Sequence, residues 1–445
     1  MKDSIDPVGT KPKTPAPHEN PALMRRVAAS VLLGTTIEWY DFMLYGAAAA
    51  TVFGPLFFPS ADPTAAVLLS FSTFAVGFAA RPLGGVIFGH FGDRVGRKKM
   101  LVISLTMMGI ATVLMGLIPS HASIGVWAPI ILVTLRVIQG FGVGGEWGGA
   151  VLTAIEHAPP GKRALFGSLP QVGVPAGLFL STVAFLGVSQ LPEDQFLSWG
   201  WRIPFIASAV LVAVGMYIRL NLEETPAFEK IDNDKDRVKV PALAAIKQYP
   251  RQIVLTVLAV MGSGVYFYSI TTYSLSYATS SDHLTRNEML VALLTSALVM
   301  VVALPFAGML AERFGRQPMV KWGLLLLAIW IFPIFGAINT GSLILTTLAF
   351  VVHAVVFSVS YGALSTFVAE RFAPQVRFSA ASITFQIGVL LGGAIAPLIS
   401  TALTEATGSV LAVCIYAAVA AIVGVIATIA LGPDQVGDPV LDTAN

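Results

Sequence analysis

An all-α membrane protein, twelve transmembrane helices arranged as two pseudo-symmetric six-helix bundles, is the fold class this sequence predicts. Three observations carry that expectation. First, 55% of the 445 residues are hydrophobic and only 12% charged, with a mean hydropathy of +0.77, whereas a soluble domain is about one quarter charged. Second, twelve apolar runs succeed one another, at roughly 27–51, 65–89, 99–118, 127–155, 164–189, 200–220, 251–278, 289–311, 320–338, 341–369, 377–403 and 408–431. A helix needs about 20 such residues to cross the hydrocarbon layer, and the alternation over about 10 residues that marks a transmembrane β-barrel is absent. Third, the chain repeats itself.

The repeat has a spacing near 215 residues. "GHFGDRVGRKKM" (89–100) reappears as "GMLAERFGRQPM" (308–319), which aligns Asp93 with Glu312, Arg94 with Arg313 and Arg97 with Arg316. Glu156, Pro160 and Arg163 share their spacing with Glu370, Pro374 and Arg377, and "QVGVPAG" from Gln171 matches "QIGVLLG" from Gln386. Such duplication divides the chain into a tail (1–22), a six-helix unit (23–221), a charged linker (222–250), a second six-helix unit (251–431) and a short tail (432–445). Parallel repeats of this kind place a binding site near the midplane, between the halves.

Basic residues orient the bundle. With both termini in the cytoplasm, the inner segments hold 23 of the 27 Lys and Arg; Arg202 and Arg286 fall near outer loops, and Arg81 and Arg136 inside spans. Positive-inside asymmetry therefore predicts a multi-pass protein of the cytoplasmic membrane with both ends inside, and the net charge of +2 implies no nucleic-acid partner. The Pro-rich first 22 residues are expected to be disordered. The first span, too long for a signal peptide, is expected to stay uncleaved. Cys414 is the single cysteine, which excludes an intramolecular disulfide and most thiolate metal sites; no metal or cofactor is expected.

Chemistry-bearing residues stand out against the apolar background. Glu38 and Asp41 lie three positions apart on one face of the first span, near its midplane. Two carboxylates in a low-dielectric site do not both ionise readily, so the pair is a candidate proton carrier; the plain alternative is a structural pair held by hydrogen bonds. Arg136 enters the fourth span by about 13 Å, a depth at which Glu38 can meet it, and Gln139 follows one turn on. Position 351, its counterpart by the repeat, is Val351, so the coupling charges belong to the first half. Arg81 and Glu146 form a second possible pair nearer the cytoplasm; Arg81 either holds a substrate carboxylate or neutralises Glu146. Gln171 and Gln386 are repeat-related polar residues that could line a cavity from both sides. Of the tyrosines Tyr266, Tyr268, Tyr273 and Tyr277 in the seventh span, Tyr266 is the one expected to face it. "GFGVGG" (140–145) satisfies a nucleotide-binding pattern, but it lies inside an apolar span, where Gly140, Gly142, Gly144 and Gly145 are expected to let helices approach closely. No G-x-x-x-x-G-K-[S/T] occurs, which disfavours an ATP-driven pump.

"GHFGDRVGRKK" between spans two and three resembles the signature loop of the major facilitator superfamily, and "RVIQG" (136–140) is similar to its fourth-helix motif. "IEWYDF" (37–42), "GGEWGG" (144–149) and "WRIPF" (201–205) resemble one branch, the metabolite:proton symporters, from about residue 25 to 431. Ala311 and Glu312 depart from the motif's Gly and Asp in the second-half loop. The resemblance implies the major facilitator fold, and a cytoplasmic latch built from Asp93, Arg94 and Arg97 with Glu312, Arg313 and Arg316. Glu156 and Glu370, ending spans four and ten, are natural partners for those arginines.

The function expected is secondary active transport by alternating access: proton-coupled symport of a small organic acid or zwitterionic metabolite by a monomer in the bilayer. An uncoupled facilitator or exporter of the same superfamily, and a transporter-like sensor, stay open as alternatives. An enzyme is disfavoured, because no nucleophile–base arrangement or metal-ligand spacing stands out. The end of the chain lacks the heptads of a coiled coil, which disfavours the osmosensing betaine subtype.

Overall fold

A computed structural model of the chain describes residues 21–59, 62–95, 97–144, 146–156, 158–159, 161–220 and 241–434. All long elements are helices. In chain order they are α1 (Pro21–Thr51), α2 (Pro63–Val95), α3 (Arg97–Gly116), α4 (Trp127–Leu152), α5 (Arg163–Val188), α6 (Arg202–Leu220), α7 (Pro250–Ser280), α8 (Arg286–Phe314), α9 (Arg316–Asn339), α10 (Leu343–Ala369), α11 (Val376–Thr407) and α12 (Leu411–Ala430). Among the described residues nine are long and apolar enough to cross a membrane, and Glu193–Gly200 with Arg202–Tyr217, bent by 41°, makes a tenth. α1 and α3 complete the twelve: Glu38 and Asp41 lower the hydropathy of α1, and the apolar part of α3, Val102–Gly116, is short.

The helices form because no water is present in the hydrocarbon layer to satisfy backbone groups, so each span closes its hydrogen bonds on itself. In the first half α1 packs on α5, α2 on α4 and α3 on α6; in the second α7 packs on α12, α8 on α10, and α9 on α10 and α12. Contacts between the halves come in the pairs that a pseudo-two-fold axis requires: α5 with α8 and α2 with α11, and, near the axis, α1 with α7 and α4 with α10. Large aliphatic side chains such as Val210, Val302, Ile344 and Ile426 point outward. Lipid is as apolar as they are, so small residues and polar contacts must hold the helices together.

Two spans are interrupted by a widened turn, Ser269–Tyr273 in α7 and Leu390–Ala394 in α11. Such π-turns are frequent at functional sites; all five residues of the first are buried, and Gly392, Gly393 and Ala394 of the second. The linker expected over 222–250 is not all irregular: Pro241–Gln248 is a short helix, whose Ala245 is buried with Ile253, Val257, Phe372, Val376 and Ala380. Residues 221–240 lie outside the described ones.

Candidate functional site: two arginines and two carboxylates at the centre of the bundle

"Inner" is used here for the end of the bundle at which α1 begins, "outer" for the opposite end. Glu38 and Asp41 of α1, Arg81 of α2, and Arg136 and Gln139 of α4 are each at most 2% exposed. Glycines bring the arginines side by side. A Cβ on Gly140 would lie 1.8 Å from the Gly77 carbonyl oxygen, one on Gly84 1.9 Å from that of Phe141, and one on Gly144 1.9 Å from that of Arg81. The backbones of α2 and α4 therefore touch directly, and the Arg136 side chain lies across Gly77. Gly142 faces α3 at Ser104 and Met107 instead, and Gly145 is not among the described residues.

Two buried guanidiniums so close would repel, and aromatic rings offset this. The Arg81 Cζ lies 3.7 Å from the Phe42 ring centroid, 4.3 Å from Phe78 and 5.8 Å from Trp39. Arg136 Cζ lies 4.0 Å from Tyr45, 4.2 Å from Phe42 and 5.1 Å from Phe74. Desolvated cation–π contacts are worth about 2 kcal/mol or more each, and Phe42 serves both cations. Tyr268, at the start of the α7 widened turn, closes the box edge-on to Phe78 (5.6 Å) and Phe74 (5.9 Å).

The carboxylates divide between the arginines differently from the expectation. Depth along the spans matched Glu38 with Arg136 and offered Arg81 to Glu146. In the structure Arg81 Nη2 is 3.7 Å from Glu38 Oε1, and Asp41 is the carboxylate joined to Arg136, through two intervening side chains. Arg136 Nη1 donates to Gln139 Oε1, Gln139 Nε2 donates to Thr112 Oγ1 (2.7 Å), and Thr112 Oγ1 donates to Asp41 Oδ2 (2.8 Å). The reason is chain direction. α1 runs outward while α2 and α4 run inward, so the deeper carboxylate, Glu38, meets the deeper arginine.

Several polar atoms here have no hydrogen-bond partner among the described residues: Arg81 Nε, Arg136 Nε and Nη2, Asp41 Oδ1 and the Tyr268 hydroxyl. Four of these five are donors. Unmade bonds to buried groups are expensive, so the arrangement suits a small acceptor-rich ligand.

The two glutamines lie at the contact between the halves. Trp147 Nε1 donates to Gln171 Oε1 (3.3 Å), and the Trp147 indole stacks on Phe385 of α11 at 3.7 Å. Gln386 Nε2 reaches the Gly144 carbonyl of α4 (3.4 Å). Tyr266 turns away from the arginines; its hydroxyl meets His353 Nδ1 (3.3 Å) inside the second half. Sequence reasoning singled out Tyr266, whereas Tyr268, two residues on and so on the opposite face of α7, is the one that meets the rings around the arginines. It also missed Thr112, an ordinary threonine in an apolar run. Phe42, Tyr45 and Trp39 shared a face with Glu38 and Asp41, a signal that could have been read.

Of the proposed latch, the side chains of Asp93, Arg94, Arg97 and Glu156 lie outside the described residues. Its second-half members are visible. Glu312 Oε1 accepts from the Ala164 backbone N–H across the halves, Arg316 bridges Glu312 (3.2 Å) and Glu370 (3.3 Å), and Asp434 caps α9 through the N–H groups of Arg316 (2.7 Å) and Gln317 (2.8 Å). Burial raises the Glu370 carboxyl above the ordinary carboxylate range, with Arg316 opposing. Arg313 does not join this cluster: it is exposed and lies over its neighbour Phe314. At the outer end, Arg286 pairs with Glu193 (3.0 Å), Ser189 with Asn287 (2.6 Å) and Thr64 with Glu405 (3.2 Å), all between the halves. The central charges are therefore covered at both ends.

Comparison with known proteins agrees with this architecture. The family described as "Sugar (and other) transporter" matches residues 27–239, and that described as "Major Facilitator Superfamily" matches residues 283–443. The chain is 43% identical to the inner membrane metabolite transport protein YhjE of Escherichia coli K12, over 84% of this chain and 87% of that protein. It is 41% identical to the shikimate transporter of the same organism (88% and 91% covered). Identity to the proline/betaine transporter of Salmonella typhimurium is 34% (92% and 83% covered). Among solved structures, the xylose transporter XylE of E. coli in a partially occluded inward-open conformation superposes with a TM-score of 0.74 at 16% identity, over 93% of this chain and 99% of that one.

Proposed function

The chain belongs to the major facilitator superfamily, a transporter and not an enzyme, and from that premise we propose that it is a proton-coupled symporter of a small organic acid. One observation carries the reading most directly: two guanidiniums with unsatisfied N–H groups sit beside two buried carboxylates in a sealed aromatic box. The faces of Phe42, Phe78, Tyr45 and Phe74 that a quaternary ammonium would need are already covered by Arg81 and Arg136. What the box lacks is acceptors, which a carboxylate and hydroxyls supply.

In this reading Asp41 carries the proton, Glu38 holds Arg81, and Arg136 with Tyr268 takes the substrate anion. Protonating Asp41 removes the negative charge tied to Arg136 and frees that cation for the substrate. Losing either member of a buried charge pair alone leaves an uncompensated charge, at a cost of about 3–5 kcal/mol. Proton and anion therefore enter together. Gln139, Gln171 and Gln386 line the path beside them. Rocking of the six-helix halves about the centre exposes the box to each side in turn. Asp93, Arg94, Arg97 and Glu156 with Glu312, Arg316 and Glu370 form the inner latch. The distribution of Lys and Arg supports a cytoplasmic location for that end and for both termini.

The test is uptake into proteoliposomes of radiolabelled hydroxylated carboxylic acids, dicarboxylates and betaines, with and without an inward proton gradient. Gradient-driven accumulation of an acid is expected, abolished in Asp41→Asn, which should still catalyse counterflow exchange. Uptake of betaines alone, or undiminished accumulation by Asp41→Asn, would overturn the reading.

A further inference from the structure

A buried carboxyl that gains and loses a proton in place faces a difficulty that the geometry around Asp41 resolves. Ionised, it needs donors; protonated, it becomes a donor and needs an acceptor. A partner that can only donate, such as Arg or Lys, suits one form alone. Asp41 is fully buried, its Oδ1 has no partner among the described residues, and its Oδ2 has a hydroxyl.

That hydroxyl, Thr112 Oγ1 on α3, stands at a junction of three contacts. It is 2.8 Å from Asp41 Oδ2, 2.7 Å from Gln139 Nε2 and 3.0 Å from the Met108 carbonyl oxygen of its own helix. A hydroxyl has one hydrogen and two lone pairs. Gln139 fills one lone pair, leaving two arrangements that need no heavy atom to move. With Asp41 ionised, the hydroxyl hydrogen points to Oδ2. With Asp41 protonated on Oδ2, the new O–H donates to Thr112 Oγ1, and the threonine's own hydrogen swings to the Met108 carbonyl. A proton on Oδ1 would have no acceptor there, which selects Oδ2.

We propose that Thr112 is a positioning residue for proton coupling: its hydroxyl reverses its hydrogen bond as Asp41 changes protonation state, and holds the carboxyl to Gln139 and Arg136 in both. The bookkeeping is closed. The only O–H bond made or broken is that of Asp41, whose proton comes from and returns to solvent; Thr112 keeps its own. The inference rests on Asp41 as the proton carrier. The other groups that face Asp41 are Arg136 and Gln139 from α4, and Tyr40 of its own helix with its hydroxyl on the Pro204 carbonyl (2.8 Å). Glu38, Arg81, Tyr45, Tyr268 and Tyr361 are the other charged and phenolic groups around the box. α5 carries no ionisable side chain from Ala164 to Val188, nor α6 from Ile203 to Met216.

Thr112→Val keeps the shape and removes the hydroxyl; Thr112→Ser keeps the hydroxyl. The valine variant loses both the donor to the ionised carboxylate and the acceptor for the protonated one; the first, a hydrogen bond to a charge, is the stronger, so its accumulation-versus-pH profile should move to higher pH by about one unit. The serine variant should restore the wild-type midpoint. Infrared difference spectra give a second readout independent of transport. The protonated-carboxyl band that Asp41→Asn deletes should titrate at the same displaced midpoint in Thr112→Val, and shift towards the frequency of a carboxyl without an acceptor. A valine variant with the wild-type midpoint and band position would overturn the proposal, as would a serine variant displaced as far as valine. Failure of the carrier reading is distinguishable: Asp41→Asn would then retain both accumulation and the band.

Discussion

Replacing Gly140 with alanine tests whether direct contact of α2 and α4 is what builds the site. The added Cβ would meet the Gly77 carbonyl at 1.8 Å and its carbon at 2.8 Å. Ordinary contact needs about 3.4 Å, and the obstacle is backbone, which cannot swing aside as a side chain does. The helices must part by about 1.5 Å, and overpacking of this kind costs typically 1–3 kcal/mol. Arg136 lies one turn before Gly140 and Arg81 one turn after Gly77, so the same shift separates the guanidiniums from the rings they share. Two controls calibrate it. Gly142→Ala meets the Ser104 carbonyl at 3.2 Å and the flexible end of Met107 at 3.3 Å, and Gly187→Ala meets nothing within 4 Å. Thermal unfolding of the purified protein in detergent should rank the variants with Gly187→Ala neutral or more stable, since alanine favours the helix by up to about 1 kcal/mol. Gly142→Ala should fall slightly and Gly140→Ala by several degrees, with initial uptake rates in the same order. Gly140→Ala indistinguishable from Gly187→Ala in both assays would refute the reasoning.

Tyr268→Phe should raise the KM for substrate several-fold without lowering the unfolding temperature, because the hydroxyl it removes has no protein partner among the described residues; Tyr266→Phe should leave KM unchanged. Arg136→Lys should lower uptake at least tenfold, since an ammonium can neither lie flat across Tyr45 and Phe42 nor keep the planar fork. Asp434→Ala, which uncaps α9 and removes a partner of Arg371, should cost about 1–2 kcal/mol of stability in a denaturation series. Burial raises the Glu370 carboxyl, so the folded state binds its proton more tightly than the unfolded chain. The stability it contributes is present at acid pH and declines as pH rises through the folded value. Glu370→Gln should flatten that part of the stability–pH curve, and an unchanged slope would remove Glu370 as its source.

By itself the sequence determined that this chain is a membrane bundle of twelve helices in two related halves, because apolar length, the clustering of Lys and Arg, and the repeat are properties of composition and order that no packing can undo. It also singled out Glu38, Asp41, Arg81 and Arg136, since a charge inside an apolar run is costly wherever the run folds. Only the tertiary structure decided how they combine. Pairing depends on helix direction and on depth to within about one turn, and in the bundle Arg81 stands beside Glu38. Which of Tyr266 and Tyr268, on opposite faces of α7, meets the box turned on how that helix is rotated in the bundle. The role of Thr112 was invisible for a simpler reason: a threonine in an apolar helix ordinarily bonds its own backbone, and nothing in the order of residues tells that a carboxylate 71 positions earlier will stand 2.8 Å away.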